Sequence, residues 1–151
     1  MDKAITTILL LIAGIVCTVL VINTVYPAVN RSTAAMVTIA GKADERIQTN
    51  VEIIQTAVVD TNVHVWVKNI GTARILAIEQ SDLFFGVTGA QTRIPYGSGS
   101  PYWDYQIENN TEWTPMATVR VTIHLASAPS GNYVMKLVLS NGISDEYVFS
   151  V

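Results

Sequence analysis

A single cysteine, Cys17, stands in the whole sequence, which removes a disulfide framework, a CxxC redox pair and the paired thiols of a zinc site. It lies in an apolar run and reads as a small buried thiol. Charge is scarce as well. Charged residues make up 14% of the chain against 50% hydrophobic, the reverse of the balance that keeps a chain disordered. Bases are too few for a nucleic-acid stripe. Residues 51–151 hold five among nine acids, a balance of −4, and residues 1–50 hold four against three, a balance of +1. Nucleic acid is therefore excluded as a partner.

Catalytic groupings are missing too. No serine sits in a GxSxG context and no thiol lies near a histidine. His64 and His124 fall in alternating segments on the face opposite the valines and read as surface-face strand residues. Gly86, Gly89, Gly97 and Gly99 precede neither a Lys-Ser/Thr pair nor a helix start, so they make no phosphate cradle. Asp145-Glu146 and the looser pair Asp104 and Glu108 read as solvated acids, a weak calcium-type oxygen site at Asp104 and Glu108 being the alternative. The sequence gives grounds for expecting no enzyme, no catalytic residue, no cofactor, no metal and no small-molecule substrate.

What is present begins with Ala4–Val25, a run of 22 residues without a charge. At 1.5 Å per residue it makes about 33 Å of helix, enough to cross a bilayer core. A signal peptide would have a shorter core, a basic lead and a small-residue cleavage motif. A plain membrane anchor fits the length. Beyond Arg31 the helical pattern continues: Met36, Ala40, Ala43, Ile47, Val51 and Ile54 recur at spacings of 4, 3, 4, 4 and 3, with Lys42, Asp44, Glu45, Gln48 and Thr49 between them. Pro27 removes one donor and should kink the rod near Asn23 without ending it. Residues 4–50 then form one helix on the order of 70 Å long, which a domain of about 100 residues cannot bury. Its apolar surface needs lipid or other copies. Small and polar residues spread along it (Thr6, Thr7, Ala13, Gly14, Thr18, Asn23, Thr24) favour close helix packing over a solitary span. The expected packing positions are Ile8, Leu11, Gly14, Ile15, Val19, Ile22, Met36, Ala40, Ala43 and Ile47.

From Val51 the period changes to two. Val63, Val65 and Val67 alternate with His64 and Trp66; Val119, Val121, Ile123 and Leu125 with Arg120, Thr122 and His124; Tyr133, Met135, Leu137 and Leu139 with Val134, Lys136, Val138 and Ser140. Turn clusters separate these runs, at Asp60-Thr61-Asn62, Lys68–Gly71, Gly97–Pro101, Ala128–Gly131 and Ser140-Asn141-Gly142, the last expected to close a two-residue hairpin. Seven or eight short strands in about 100 residues predict an immunoglobulin-like antiparallel β-sandwich. The fold class is α+β: a long hydrophobic then amphipathic helix over 1–50, and the sandwich over 51–151. Two sequons, Asn109-Asn110-Thr111 and Asn30-Arg31-Ser32, are candidate N-glycosylation sites, Asn109 in a polar inter-strand stretch and Asn30 at the helix seam.

The order of apolar helix, Val65-Trp66-Val67-Lys68-Asn69-Ile70-Gly71 and Ser81-Asp82-Leu83-Phe84-Phe85-Gly86 resembles the archaellins and the related archaellum proteins F and G, within the type IV pilin-like superfamily. Arg93–Trp103 and Glu112-Trp113-Thr114-Pro115 look most like the protein G side. Only Met1-Asp2-Lys3 precede the apolar helix, so the expectation is either that the basic leader of archaellin precursors is absent or that its cleavage is not used, and the early acid of bacterial pilins is missing. The resemblance implies assembly into or beside a rotating extracellular filament. Two readings follow from it. In the first, the chain is a structural subunit of an archaellum-type filament for motility or adhesion, anchored in the membrane before assembly and then packed with copies of itself and with other archaellum proteins at the cell surface. In the second, Ala4–Val25 stays in the membrane and the sandwich binds a cell-envelope partner, as a stator would. The spread of small and polar residues leans to the first.

Overall fold

The computed structural model describes all 151 residues. They form two compact units, Met1–Lys42 and Ala43–Val151. Helix α1, Asp2–Gln48, runs unbroken through Pro27 and buries none of its residues. Its threonine hydroxyls are spent within the helix. Thr6 donates to Asp2 O at 2.6 Å, Thr7 to Lys3 O at 2.7 Å, Thr18 to Gly14 O at 2.8 Å and Thr33 to Val29 O at 2.9 Å. Bonding back to the carbonyl four residues earlier satisfies these threonines in lipid without a neighbour. The threonines of the apolar run are thus no argument for helix packing by themselves.

The helix ends at Gln48, six residues before Ile54, the last position of its apolar spacing. Val51 and Ile54 belong to strand β1, Val51–Val59, and not to an amphipathic helix stripe. Their β-branched side chains suit a pleated surface. A register shift between Ile53 and Gln55 bulges Ile54 out of the pairing with β2 and leaves it half exposed.

Seven further strands follow: β2 Asn62–Asn69, β3 Asp82–Val87, β4 Ala90–Ile94, β5 Tyr102–Glu108, β6 Thr118–His124, β7 Asn132–Val138 and β8 Ser144–Ser150. Two antiparallel sheets result, in the orders β1-β2-β6-β5 and β4-β3-β7-β8. This is the ABED and CFG order of immunoglobulin domains with one added edge strand, β4, beside the third strand. The expected sandwich is therefore the fold. Val63, Val65 and Val67 from β2, Val119, Val121 and Ile123 from β6 and Trp103 from β5 face Leu83, Phe85, Met135 and Leu137 from β3 and β7. All but Phe85 are wholly buried, and Phe85 nearly so. Asp145 of β8 reaches across to β1, where its Oδ2 accepts from Ile53 N at 2.7 Å, a bond between residues 92 apart in sequence. It ties the two sheets along one edge.

The Asn141-Gly142 turn differs from expectation in length. Leu139 and Ile143 close it through Leu139 N to Ile143 O at 2.8 Å, and only Gly142 has a positive φ, 84°. A three-residue loop with glycine in the left-handed position replaces the two-residue form, which would need positive φ at Asn141 as well.

Candidate functional site

The segment that joins helix to sandwich is held by a set of backbone bonds from the turn after β2. Its carrier is the stretch Lys68-Asn69-Ile70-Gly71, where β2 ends. Ile70 N and Gly71 N both donate to Asn50 O at 3.0 Å, and Thr72 N and Ala73 N donate to Gln48 O at 2.8 and 3.1 Å. A helix leaves its last carbonyls without partners. Here the turn after β2 supplies a pair of amides to the last one. Gly71 allows the approach, since a Cβ there would overlap Gln48 O and lie 2.6 Å from Asn50 N.

Asn69 holds the turn from inside. It is wholly buried, donating from Nδ2 to Ala73 O at 2.8 Å and Trp113 O at 3.3 Å while Oδ1 accepts from Gly71 N at 3.0 Å. Trp113, in the loop between β5 and β6, is buried against it, with Ile75 N donating to Trp113 O at 3.0 Å. Opposite, Asn141 Nδ2 donates to Thr49 Oγ1 at 3.0 Å, and Thr49 Oγ1 donates to Glu45 O at 2.7 Å. The last helical turn, Ala43–Gln48, is thereby gripped from both the β2–β3 and β7–β8 connections.

The second polar grouping covers the outer face of β2, β6 and β5. His64 Nδ1 meets Thr122 Oγ1 at 3.2 Å. His124 stacks on Tyr102 with ring centroids 4.3 Å apart, its Nδ1 3.0 Å from Asn62 Oδ1 and its Nε2 3.1 Å from Asp104 Oδ2. Arg120 bonds Gln106 and lies 3.4 Å from Glu108 Oε1. Both histidines sit on the outer face, as their alternation with the valines requires. The pairing of Asp104 with Glu108 as an oxygen site does not form. Four residues along one strand they stand about 13 Å apart, and each is engaged by a different base, His124 and Arg120. Nowhere do three or more His, Cys, Asp or Glu side chains gather. Burial, aided by Glu79 and then Tyr96, holds the Tyr105 phenol above its ordinary pKa.

The packing positions expected from the sequence all lie on α1, and every one is exposed. Asn30 is in the helix; Asn109 follows β5 in an exposed loop with φ 56°. α1 contains a run that is long and apolar enough to cross a membrane, with a mean hydropathy of 2.9. Sequence reasoning missed the clamp, because Asn69 and Gly71 read only as turn residues and their partners lie on distant segments.

No protein-family model matches the chain. An uncharacterized protein of Archaeoglobus fulgidus is 29% identical over 160 aligned positions, which cover 98% of each chain. The archaellum periplasmic stator protein FlaG of Sulfolobus acidocaldarius is 28% identical with a TM-score of 0.61, covering 67% of this chain and 99% of that one. An archaellum-related family fits this chain. The same organism's complex of the stator proteins FlaF and FlaG gives 28% identity and a TM-score of 0.58, covering 66% of this chain and 87% of that one. These neighbours are archaellum stator proteins, on the side of archaellum proteins F and G.

Proposed function

We propose that this chain is a stator-like accessory protein of an archaellum, held in the membrane by Ala4–Val25, with its sandwich outside the membrane bound to a cell-envelope partner. The observation that carries this reading is the likeness in both fold and sequence to a periplasmic stator protein over a share of the chain equal to that of residues 51–151. The filament-subunit reading loses part of its sequence argument, since the threonines of the apolar run are satisfied within their own helix. The clamp around Gln48 and Asn50 suits a stator, which has to pass force from an anchor to an envelope contact without the joint giving way.

Deletion of the gene separates the two readings. Cells without this chain should assemble archaella of normal number and length that fail to drive swimming, and filaments sheared from wild-type cells should lack the chain by mass spectrometry. Loss of the filaments on deletion, with the chain abundant in sheared filaments, would return the subunit reading.

With the sandwich outside the membrane, Asn109 rather than Asn30 is the residue to carry a glycan. Asn109 lies in a left-handed turn that exposes it, and Asn110 Nδ2 donates to Thr114 Oγ1 at 3.0 Å, keeping the loop open around the sequon. Asn30 is locked in helical backbone. The expected intact mass of the chain from its source exceeds the polypeptide by one glycan, an excess lost in Asn109→Gln and kept in Asn30→Gln. An excess that persists in Asn109→Gln would refute the assignment.

A further inference from the structure

Helix α1 exposes its whole surface, yet its side chains are not distributed evenly around it. Ile5, Ile8, Ile12, Ile15, Val19, Ile22, Tyr26, Val29, Thr33, Met36 and Ala40 follow one another at strictly alternating spacings of 3 and 4. Ala43 and Ile47 continue the same spacing in sequence. In heptad terms these are a and d positions. Through Ala4–Val25 almost every residue is apolar, so an apolar seam alone would mean little. The test is where the small and polar residues fall. Thr6 and Ala13 take b, Thr7 and Gly14 take c, Asn23 takes e, Thr24 takes f, and Ala4 and Thr18 take g. Any other choice of paired positions in the seven-residue repeat runs through at least one of them. The a/d seam alone is free of them and is Ile or Val at each of its six positions.

The charges obey the same frame. Asp2, Lys3, Arg31 and Lys42 stand at e, f, f and c, outside the seam. Thr33, the one threonine on it, is satisfied by Val29 O at 2.9 Å. A straight helix of 3.6 residues per turn drifts by about 20° per heptad against such a repeat. Over the five heptads from Ile5 to Ala40 the seam would wander through about 100°, and it stays on one face only if helices supercoil around one another. Lipid alone makes no such demand.

We infer that α1 associates with α1 of further copies of this chain as a parallel, in-register coiled coil along the seam from Ile5 to Ala40. The partner is a second copy because the seam is self-complementary, and because copies inserted the same way in one membrane present it in the same direction. The available area is adequate. The nine large seam side chains from Ile5 to Met36 are 50% to 68% exposed. At about 60–120 Å² for each buried apolar side chain they offer roughly 500–1,000 Å² per helix, against about 800 Å² per partner in a stable specific pair. Within lipid the gain is packing and not water release. Beyond Val25 burial from water adds to it. The association is a closed bundle, distinct from filament growth. It rests on the membrane-anchored reading only for the parallel direction. Gly14 and Leu11, expected among the packing residues, fall at c and g, off the seam.

Single cysteines report the frame. In full-length chain carrying Cys17→Ser, reconstituted alone in phosphatidylglycerol vesicles, Ile22→Cys and Met36→Cys should oxidise to disulfide dimers about tenfold faster than Arg31→Cys or Lys42→Cys, because only facing cysteines come within bonding reach. Native Cys17, at f, should behave as a slow site. Adding Ala40→Asp should abolish the advantage of Met36→Cys, while Gly41→Asp, at b, should leave it intact. Equal rates at seam and off-seam positions, or no cross-linking at the seam, would overturn the inference. Since no other archaellum protein is present and swimming is not read, such a result leaves the stator reading standing. A non-swimming deletion strain bears on that reading alone.

Discussion

Trp103→Ala should lower the stability of the sandwich by about 3–5 kcal/mol, the usual cost of emptying a large aromatic site that cannot collapse. Trp103 has no exposed surface and fills the space between the sheets from β5. Its ring meets Tyr96 edge-on with centroids 4.9 Å apart, an arrangement that adds to area burial. The backbone around it also depends on its position. Trp103 N donates to Pro95 O at 3.0 Å, and Gly97 N donates to Trp103 O at 2.9 Å, so the loop from β4 to β5 is stitched down beside the ring. Domains of this size hold about 5–15 kcal/mol in all, so the variant should sit near its unfolding threshold. In urea, followed by far-UV circular dichroism of the full chain in detergent, the β-sheet midpoint should fall by about 2 M at the slopes usual for small domains. Trp66→Ala, on the outer face of β2, is the control and should cost no more than about 1 kcal/mol. A midpoint for Trp103→Ala within 0.5 M of wild type, on the order of a surface change, would show that the core does not depend on the ring.

The sandwich is legible in sequence where one face alone decides the pattern. Val63, Val65 and Val67 must point one way if His64, Trp66 and Lys68 point the other, and β2 obeys this without exception. β7 is less clear for a physical reason. Val134 on its outer face is almost as buried as Met135 on its inner one, because neighbouring strands cover both sides there. Helix and strand are confused at Val51 and Ile54, whose spacing continues the helical stripe. What stops the helix is the capture of the Gln48 and Asn50 carbonyls by residues 70–73, and a pattern of apolar positions does not register that event. The role of Trp113 is hidden likewise, since its burial depends on pairing with Ile75, 38 residues away.

Chemistry-bearing residues show the same division. That His64 and His124 face outward follows from period two. That Asp104 is engaged by His124 and Glu108 by Arg120 follows from strand order, β5 beside β6, which no local signal gives. A carboxylate pair four residues apart can converge on a helix but not on a strand. The seam of α1, by contrast, is wholly a matter of spacing. It emerges once the helix is known to continue from Asp2 to Gln48, since a heptad can be counted only through an unbroken helix.

Gly71→Ala should do more damage to function than to the fold. The added Cβ would overlap the carbonyl oxygen of Gln48 and stand 2.6 Å from Asn50 N, both backbone atoms that cannot swing aside as a side chain would. Relief requires the turn to lift away, which removes the bonds from Ile70 N and Gly71 N to Asn50 O and from Thr72 N and Ala73 N to Gln48 O. The bond from Gly71 N to Asn69 Oδ1 goes with them, leaving the buried Asn69 amide short of a partner. Each orphaned polar group costs about 1–3 kcal/mol if it stays dry. Water can reach a lifted turn, so the net loss should be about 2–3 kcal/mol, within what the two-sheet core can bear. Near-UV circular dichroism should therefore stay native, while hydrogen exchange at residues 70–73 rises by about tenfold or more as the turn opens. Swimming should be lost although the protein is present in the membrane at normal level, because a joint that opens under load no longer passes force to the envelope contact. Gly89→Ala, in the β3–β4 turn and with open space around it, is the matched control. Its positive φ of 86° gives it a backbone strain that Gly71 does not carry, while it lacks the overlap that Gly71 would meet, so the control isolates the clash from a general backbone cost. Should Gly71→Ala cells swim normally while residues 70–73 exchange faster, the clamp would be a feature of folding and not of force transmission.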